Sequence, residues 1–254
     1  MRTIRITGTG SALPGRIVTN KELEQMVETS DEWIRERTGI AERHVSVGET
    51  VVTLASEAAH KALEQAGKTA EEIDLILVAT CSPEQYLPCC ACQVQAAVGA
   101  VNALAFDVNA ACSGFLFALN TADAYLRTGL AKNALIIGSE VLSKLVDWTD
   151  RSSCILFGDG AGAVVVEQGR TESRAVEYSN ALPETENGMQ ETAEEKRIPA
   201  AGILGRALHS DGTGGGVLQC GARELTTPYA RTSAAKTDQN QPTDGREPYI
   251  QMDG

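Results

Sequence analysis

Residues 104–115 read LAFDVNAACSGF, and this stretch is the most informative part of the chain. An apolar segment with strand-forming residues, Leu104 to Val108, leads to Cys112, and a helix is predicted over Phe115 to Arg127. A cysteine at such a junction lies over backbone N–H groups that have no partner within the helix, at the positive end of the helix dipole. Both effects favour the nucleophilic thiolate, so Cys112 is the candidate nucleophile. The alternative is a cysteine buried in the core.

The segments around this stretch alternate between strand and helix patterns. Strands are predicted over Thr3 to Thr7, Ile73 to Ala79, Ala103 to Val108, Ala134 to Gly138, Ser153 to Phe157 and Gly162 to Val166. Besides the helix after Cys112, helices are predicted over Lys21 to Val27 (with Asn20 as N-cap), Ser30 to Arg37, Val51 to Ala66 and Cys90 to Val98. This alternation predicts an α/β fold in which helices cover both faces of a sheet.

The composition argues against several classes of protein. With 254 residues, 43% hydrophobic and 4% aromatic, the chain can bury one large core or two smaller ones built from aliphatic side chains. Its net charge of −12 argues against nucleic acid and anionic membranes as partners. No apolar run approaches the roughly 20 residues of a membrane-spanning helix, and the N-terminus lacks the apolar region of a signal peptide. Seven cysteines in such a chain predict reduced thiols, and we expect a cytoplasmic protein.

Three blocks together resemble β-ketoacyl-acyl carrier protein synthase III, the initiating condensing enzyme of type II fatty-acid synthesis, which has a thiolase-like fold. The blocks are DEWIRERTGI at 31–40, AACSGF at 110–115 and FGDGAGA at 157–163, with Asp150-Arg151 before the third. The resemblance implies that residues 1–168 are the N-terminal thiolase-like half, a mixed five-stranded sheet with helices on both faces. Residues 169–199 are then a Glu-rich insertion or mobile loop, and residues 200–254 are the incomplete beginning of the C-terminal half.

The resemblance also implies an acyltransferase reaction in two stages. Cys112 attacks the thioester of a short acyl-CoA, and the acyl group then condenses with malonyl-acyl carrier protein, with loss of carbon dioxide, to give 3-oxoacyl-acyl carrier protein. CoA enters as a substrate, no cofactor or metal is implied, and a homodimer is expected. The residues implied to bind CoA are Trp33, Arg37, Thr38 and Arg151. Those implied to line the acyl pocket are Leu87, Leu142 and Phe157, with Leu87 reaching across the dimer interface.

The histidines of the chain limit what the resemblance implies. The family's catalytic triad is Cys-His-Asn, and its His and Asn lie in the C-terminal half. The chain has only His44, His60 and His209. His209 is the one candidate substitute, but the family carries a non-catalytic sequence of this kind there. We therefore expect a fragment, truncated before the catalytic His and Asn, that acylates itself slowly and condenses negligibly, because one lost preorganised donor costs ~10²–10³ in rate.

Two other functions remain open. The first is another thiolase-fold acyl-CoA condensing enzyme, similar to hydroxymethylglutaryl-CoA synthase or a secondary-metabolite enzyme, which the Arg37-Thr38-Gly39 block disfavours. The second is a non-catalytic dimerising fragment, which Cys112 and Trp33 disfavour.

Three smaller patterns carry predictions of their own. The Cys-x-x-Cys spacing at residues 89–92 has no second pair, so helix packing is favoured over a metal or redox site. Gly158-Asp159-Gly160 predicts a tight turn that permits close strand packing. Because CoA and the carrier protein are anionic, local basic groups are expected to bind them; the candidates are Arg35, Arg37, Arg43, Lys144 and Arg151.

Overall fold

The computed structural model describes residues 3–169, 173–174, 198–199, 202–203, 205–221 and 249–252. Its strands are β1 (Thr3–Ala12), β2 (Arg16–Thr19), β3 (Glu42–Val45), β4 (Leu75–Ala79), β5 (Leu104–Val108), β6 (Asn133–Val141), β7 (Asp159–Gly169), β8 (Ser173–Arg174), β9 (Ile198–Pro199), β10 (Leu218–Cys220) and β11 (Ile250–Met252). Its α-helices are α1 (Asn20–Leu23), α2 (Asp31–Thr38), α3 (Val51–Ala66), α4 (Cys90–Val98), α5 (Gly114–Thr128) and α6 (Arg151–Cys154). Short 3₁₀ turns cover Ala70–Glu72, Ala111–Ser113, Leu142–Lys144 and Gly212–Gly214.

Five strands form one mixed sheet in the order β1-β7-β6-β4-β5. Strand β4 runs parallel to β5 and β6, with Leu77 opposite both Phe106 and Ile136. Strand β7 is antiparallel to its neighbours β1 and β6. The carboxyl ends of β4, β5 and β6 therefore meet at one edge of the sheet, where the amino end of β7 also lies.

Helices cover both faces of this sheet, as the sequence predicts. Helices α3 and α4 pack on one face around small side chains such as Ala58 and Ala62. A Cβ atom at Gly8 or Gly10 of β1 would lie only 2.2 Å from the carbonyl oxygen of Ala62 or Ala58, so α3 rests directly on the strand backbone. On the opposite face, α5 buries its own apolar stripe against β4 and β6. Small side chains thus let the helices pack closely on the sheet, so the core is filled without large aromatic residues.

A third apolar cluster lies beside the sheet. It is formed by residues of α1, α2, α6 and β11, with the buried side chains Leu23, Ile34, Val146, Cys154, Ile155 and Ile250 at its centre. The antiparallel pair β2–β3 adjoins it, because Val18 of β2 packs against these side chains.

Two predicted elements differ from those observed. The strand predicted over Ser153 to Phe157 is wrong: helix α6 covers Arg151–Cys154, and β7 begins only at Asp159. The Asp150 side chain accepts a hydrogen bond from the Ser152 backbone N–H at 2.8 Å, and this helix cap outweighs the strand preference of the apolar residues that follow.

The helix predicted over Lys21 to Val27 is shorter than expected, and it begins one residue earlier. The observed helix α1 covers Asn20–Leu23, and its N-cap is Thr19 rather than Asn20. Thr19 and Glu22 form a reciprocal capping box, which fixes the start of the helix. Most of the predicted Glu-rich segment 169–199 lies outside the described residues. Among the residues that are described, no helix is long and apolar enough to cross a membrane.

Candidate active site

Cys112 lies at the edge of the sheet where the parallel strands end. Strand β5 stops at Val108, and Cys112 occupies the 3₁₀ turn that runs directly into α5. A Cβ atom on Gly114, the first residue of α5, would lie 3.2 Å from Ala79 Cβ, so this helix begins tight against the end of β4. Cys112 is exposed in this chain, and the alternative of a buried core cysteine is therefore wrong.

The backbone around Cys112 is unusual. Ala111 has a φ of +45°, a left-handed value that residues with a side chain rarely adopt. Such conformations cost of order 1–3 kcal/mol and concentrate at functional sites. Ser113 is the N-cap of α5 but makes no side-chain capping hydrogen bond. The first-turn N–H groups of α5 thus lack the usual Ser cap, in the part of the helix that favours negative charge.

Trp33 is flanked by two guanidinium groups. The Cζ atoms of Arg37 and Arg151 lie 5.0 Å and 4.8 Å from the centroid of the Trp33 ring. Arg151 also donates from Nη1 to the backbone oxygen of Glu28 at 3.0 Å, which holds it over the ring. The structure thus brings together three of the four residues implied to bind CoA. A flat apolar ring with two positive charges matches the chemistry of a purine nucleotide.

Thr38, the fourth residue of that set, is engaged within its own helix. Its hydroxyl donates to the Ile34 carbonyl at 2.7 Å and accepts from the Ile40 N–H at 3.0 Å. With Gly39 at a φ of +74°, it closes the end of α2. The geometry gives Thr38 a structural part, and its contact with CoA stays a prediction.

Two of the three residues implied to line the acyl pocket lie together. Leu142 directly follows β6 and Phe157 lies just before β7, so both flank the sheet edge that carries Cys112. Both pack against the third apolar cluster, as does Trp33. Leu87 is 84% exposed and belongs to none of the three clusters, so a single chain does not bring it to the other two.

Asp159 is a buried acid at this edge of the sheet that the sequence analysis did not single out. It is 6% exposed, and its carboxylate accepts hydrogen bonds from the Ser46 N–H at 2.7 Å, the Ser143 N–H at 2.9 Å and the Ser143 hydroxyl at 2.6 Å. The tight turn predicted at residues 158–160 is wrong, because Asp159 and Gly160 are the first residues of strand β7. The predicted close packing is present, because a Cβ on Gly158 would lie 3.0 Å from the His44 carbonyl oxygen. The acid between the glycines fixes the loop that begins with Leu142. In the sequence, an acidic residue between two glycines could have indicated that Asp159 is important.

Glu140, at the end of β6, was missed as well. Its carboxylate accepts from the Cys81 N–H at 2.8 Å, from the Thr80 hydroxyl at 3.1 Å and from the Ser82 hydroxyl. Burial and the Glu140 charge raise the pKa of Cys81 to about 12. This edge of the sheet therefore holds a second thiol beside an acid. In the sequence, an acidic residue at the end of the apolar run that begins at Ala134 could have indicated Glu140.

The Cys-x-x-Cys segment serves the start of a helix. Cys90 is buried as the first residue of α4, and burial raises its pKa to about 12. The Asp107 carboxylate accepts from the N–H groups of Cys90 at 2.9 Å and Ala91 at 2.7 Å, so it caps α4. Within the described parts of the chain, no group of three or more His, Cys, Asp or Glu could hold a metal ion.

The predicted basic groups differ in what they can offer an anion. Arg43 is wrong as a candidate because it is only 5% exposed and donates to Asn20 Oδ1 at 2.8 Å and to the Val18 and Ile155 carbonyls at 3.2 Å. Arg35 is paired with Asp31, and Lys144 with Glu84. Arg37 and Arg151 remain, on the two sides of Trp33.

The three histidines lie in different parts of the structure. His44 Nδ1 lies 2.7 Å from the Pro14 carbonyl oxygen, in the loop after β1. His60 is exposed on α3, and His209 is exposed between Gly205 and Asp211. That none of them serves Cys112 as a catalytic partner stays a prediction.

Comparison with known proteins identifies a family of condensing enzymes. The family model for 3-oxoacyl-[acyl-carrier-protein (ACP)] synthase III matches residues 106–181. β-Ketoacyl-[acyl-carrier-protein] synthase III from Clostridium acetobutylicum is 46% identical over 91% of this chain and 62% of its own length. The synthase III of the same name from Streptococcus thermophilus is 40% identical over 100% of this chain and 67% of its own length.

A solved structure supports the same assignment. The synthase III of Thermus thermophilus superposes with a TM-score of 0.75 at 32% identity, over 98% of this chain and 65% of the other. This establishes the thiolase-like fold that the sequence predicts. The chain thus spans 62% of the length of its Clostridium relative and about two thirds of the others named here. By sequence and by structure, the chain belongs to the β-ketoacyl-[acyl-carrier-protein] synthase III family.

Proposed function

We propose that this chain accepts an acyl group from a short acyl-CoA thioester onto Cys112. The Cys112 sulfur attacks the thioester carbonyl, a new carbon–sulfur bond forms, and CoA leaves as a thiolate that takes up a proton. One observation carries the proposal: Cys112 is exposed at the start of α5, whose Ser N-cap provides no side-chain cap. The start of a helix is a place where N–H groups and the helix dipole can stabilise negative charge that develops during the attack.

The CoA moiety is proposed to bind at Trp33. Its adenine stacks on the indole, and the guanidinium groups of Arg37 and Arg151 supply a second flat surface and positive charge. Both guanidinium groups lie within about 5 Å of the ring centroid, so adenine can stack on a face that one of them covers only if that group moves aside. Leu142 and Phe157 pack on the same apolar cluster and are proposed to guide the acyl chain.

Condensation with malonyl-acyl carrier protein is the second stage of the reaction for which the relatives are named. For the first stage the described residues offer a candidate nucleophile and a candidate nucleotide surface, and we propose the Cys112 backbone N–H as a donor to the developing oxyanion. We assign none of the described residues to the second stage. We therefore propose that these 254 residues acylate themselves slowly and condense negligibly.

The open edge of the sheet is proposed to bind a second copy of the chain. In the described sheet, β5 pairs only with β4, so its other edge offers unpaired backbone groups. Exposed apolar side chains lie close to this strand in sequence, namely Tyr86, Leu87, Val101 and Leu104. In a homodimer Leu87 would leave solvent, which explains why it lines no pocket within one chain. Size-exclusion chromatography with light scattering tests this, and a monomer at high protein concentration would contradict it.

Intact-mass spectrometry after incubation with acetyl-CoA tests the acylation. We expect a mass increase of one acetyl group, and peptide mapping should place it on Cys112. Cys112→Ala should abolish it, whereas Cys220→Ala should leave it unchanged. Cys220 is the matched control because it is the other exposed cysteine among the described residues. Acetylation that persists in Cys112→Ala would refute the proposal.

A further inference from the structure

A second thiol, Cys81, lies at the same edge of the sheet as Cys112. Strands β4 and β5 stay in register up to the pair Ala79 and Val108, and the Thr80 N–H then donates to the Val108 carbonyl at 3.2 Å. The residues after β4 thus run alongside the turn that carries Cys112. Cys81 is half-buried there. Two thiols therefore lie at the same edge of the sheet, close enough to interact electrostatically.

The loop with Cys81 is held by Glu140. The carboxylate receives three hydrogen bonds from residues 80–82, and the Ser82 hydroxyl in turn accepts from the Val141 N–H at 2.9 Å. All of these donors are uncharged, so they fix the carboxylate without neutralising it. The Glu140 carboxylate is thereby held against residue 81, with Oε1 2.8 Å from the Cys81 backbone nitrogen.

The charges around Cys81 all disfavour its ionised form. Burial is the largest cause of its raised pKa, followed by the charge of Glu140 and its hydrogen bond with the thiol, and then by Cys112 and Cys220. These groups come from different elements: Glu140 from β6, Cys112 from the turn before α5, and Cys220 from β10. Because Cys112 is among them, an ionised Cys112 suppresses Cys81 further.

We propose that Glu140 is a positioning residue that determines which sulfur is acylated: its fixed carboxylate keeps Cys81 in the unreactive thiol form, so that an acyl thioester that reaches this edge of the sheet reacts at Cys112. This inference rests on the proposed acylation of Cys112. Acylation of Cys81 would form the same thioester bond and release the same CoA, but its proton must leave first. The neighbouring carboxylate opposes that loss.

Alkylation by iodoacetamide, followed residue by residue with peptide mass mapping at about pH 8, tests the inference without acyl-CoA. Glu140→Gln removes the charge and keeps the shape, and we expect Cys81 to react about tenfold faster, the change in thiolate fraction that one pKa unit produces. Glu140→Asp keeps the charge and should leave the rate within about twofold. The matched control is Glu84→Gln, because Glu84 bonds to the Val51 N–H and Lys144 rather than to residues 80–82.

Two results would overturn the inference: an unchanged Cys81 rate in Glu140→Gln, or equal acceleration in the Gln and Asp variants, which would indicate a loosened loop. If Glu140→Gln does not fold, the pH dependence of Cys81 alkylation is compared between the unmodified chain and Glu140→Ala. A lower apparent pKa of Cys81 in Glu140→Ala supports the inference, and the same apparent pKa in both chains overturns it.

Acetyl-CoA labelling separates this inference from the proposed function. Glu140→Gln should gain acetylation at Cys81, which the unmodified chain lacks. Absence of acetyl-Cys112 in the unmodified chain would refute the proposed function, whereas the iodoacetamide rates would still report on Glu140.

Discussion

Replacing Asp159 with Asn should destabilise the whole sheet edge. The carboxylate is 6% exposed and accepts three hydrogen bonds, two from Ser143 and one from Ser46. Asn has the same shape but offers one acceptor oxygen, and its NH₂ group faces a donor. Hydrogen bonds to a charged group contribute about 1.5–3 kcal/mol each, and a buried donor left without a partner costs about 1–3 kcal/mol.

The net effect is smaller than this sum, because Asn no longer requires a buried charge. We expect a loss of about 3 kcal/mol in the free energy of unfolding, or roughly 6–12 °C in Tm for a chain of this size. Urea and thermal unfolding, followed by circular dichroism, measure both quantities.

Asp211→Asn is the matched control for this experiment. The exposed Asp211 accepts from the Thr213 N–H at 2.9 Å and hydroxyl at 2.6 Å, a comparable set of bonds in water. We expect it to change stability by less than about 0.5 kcal/mol. Equal effects of the two substitutions would refute the argument that burial of the Asp159 bonds is what matters.

Three further predictions concern packing, pH and ligand binding. Gly10→Ala places a Cβ 2.2 Å from the Ala58 carbonyl oxygen, and it should lower the free energy of unfolding by about 3 kcal/mol or prevent folding. Gly162→Ala, on the paired strand β7, is the control, because its Cβ meets nothing within 4 Å and should be tolerated. Expression yield and Tm compare the two variants. The pKa of Glu49 is lowered to about 2, chiefly by hydrogen bonds from its own and neighbouring backbone N–H groups. Its contribution to stability is therefore present above the ordinary pKa of 4.5 and is lost as the pH falls towards 2. Glu49→Gln should make the free energy of unfolding fall less steeply with pH between about 4.5 and 2. The same slope in both chains would contradict this. Trp33→Ala should weaken CoA binding about tenfold or more by calorimetry, while a Kd equal to that of the unmodified chain would place the nucleotide elsewhere.

The junction at Cys112 could be predicted because its determinants are local. A strand-forming run, a cysteine followed by small residues and a helix-forming segment lie within 25 residues of each other, and the structure arranges them in that order. Helix α3 could be predicted to the residue, Val51–Ala66, because its apolar residues recur at helical spacing and a glycine follows it. Signals of this kind do not depend on the rest of the fold.

The hydrogen-bond partners of Asp159 and Glu140 could not be predicted because they are remote in sequence. Asp159 bonds to Ser46, more than 100 residues earlier, and Glu140 bonds to a loop about 60 residues earlier. The prediction that Arg43 binds an anion is wrong for the same reason. In the sequence, Arg43 lies in a polar segment typical of an exposed strand, and only the fold brings its guanidinium group to the Ile155 carbonyl. The composition of a segment indicates its secondary structure, whereas the burial of a charged group depends on the elements that pack around it.

The arrangement at Trp33 has an optical consequence. The chain contains two tryptophans, and they differ in setting: the Trp33 ring lies close to two guanidinium groups, whereas the Trp148 indole N–H donates to the Ser143 carbonyl at 3.1 Å. A ligand that displaces either guanidinium alters the emission of the first fluorophore and leaves the second as an internal reference. Nucleotide occupancy can thus be followed in the unlabelled protein, with Trp148→Phe isolating the responsive signal.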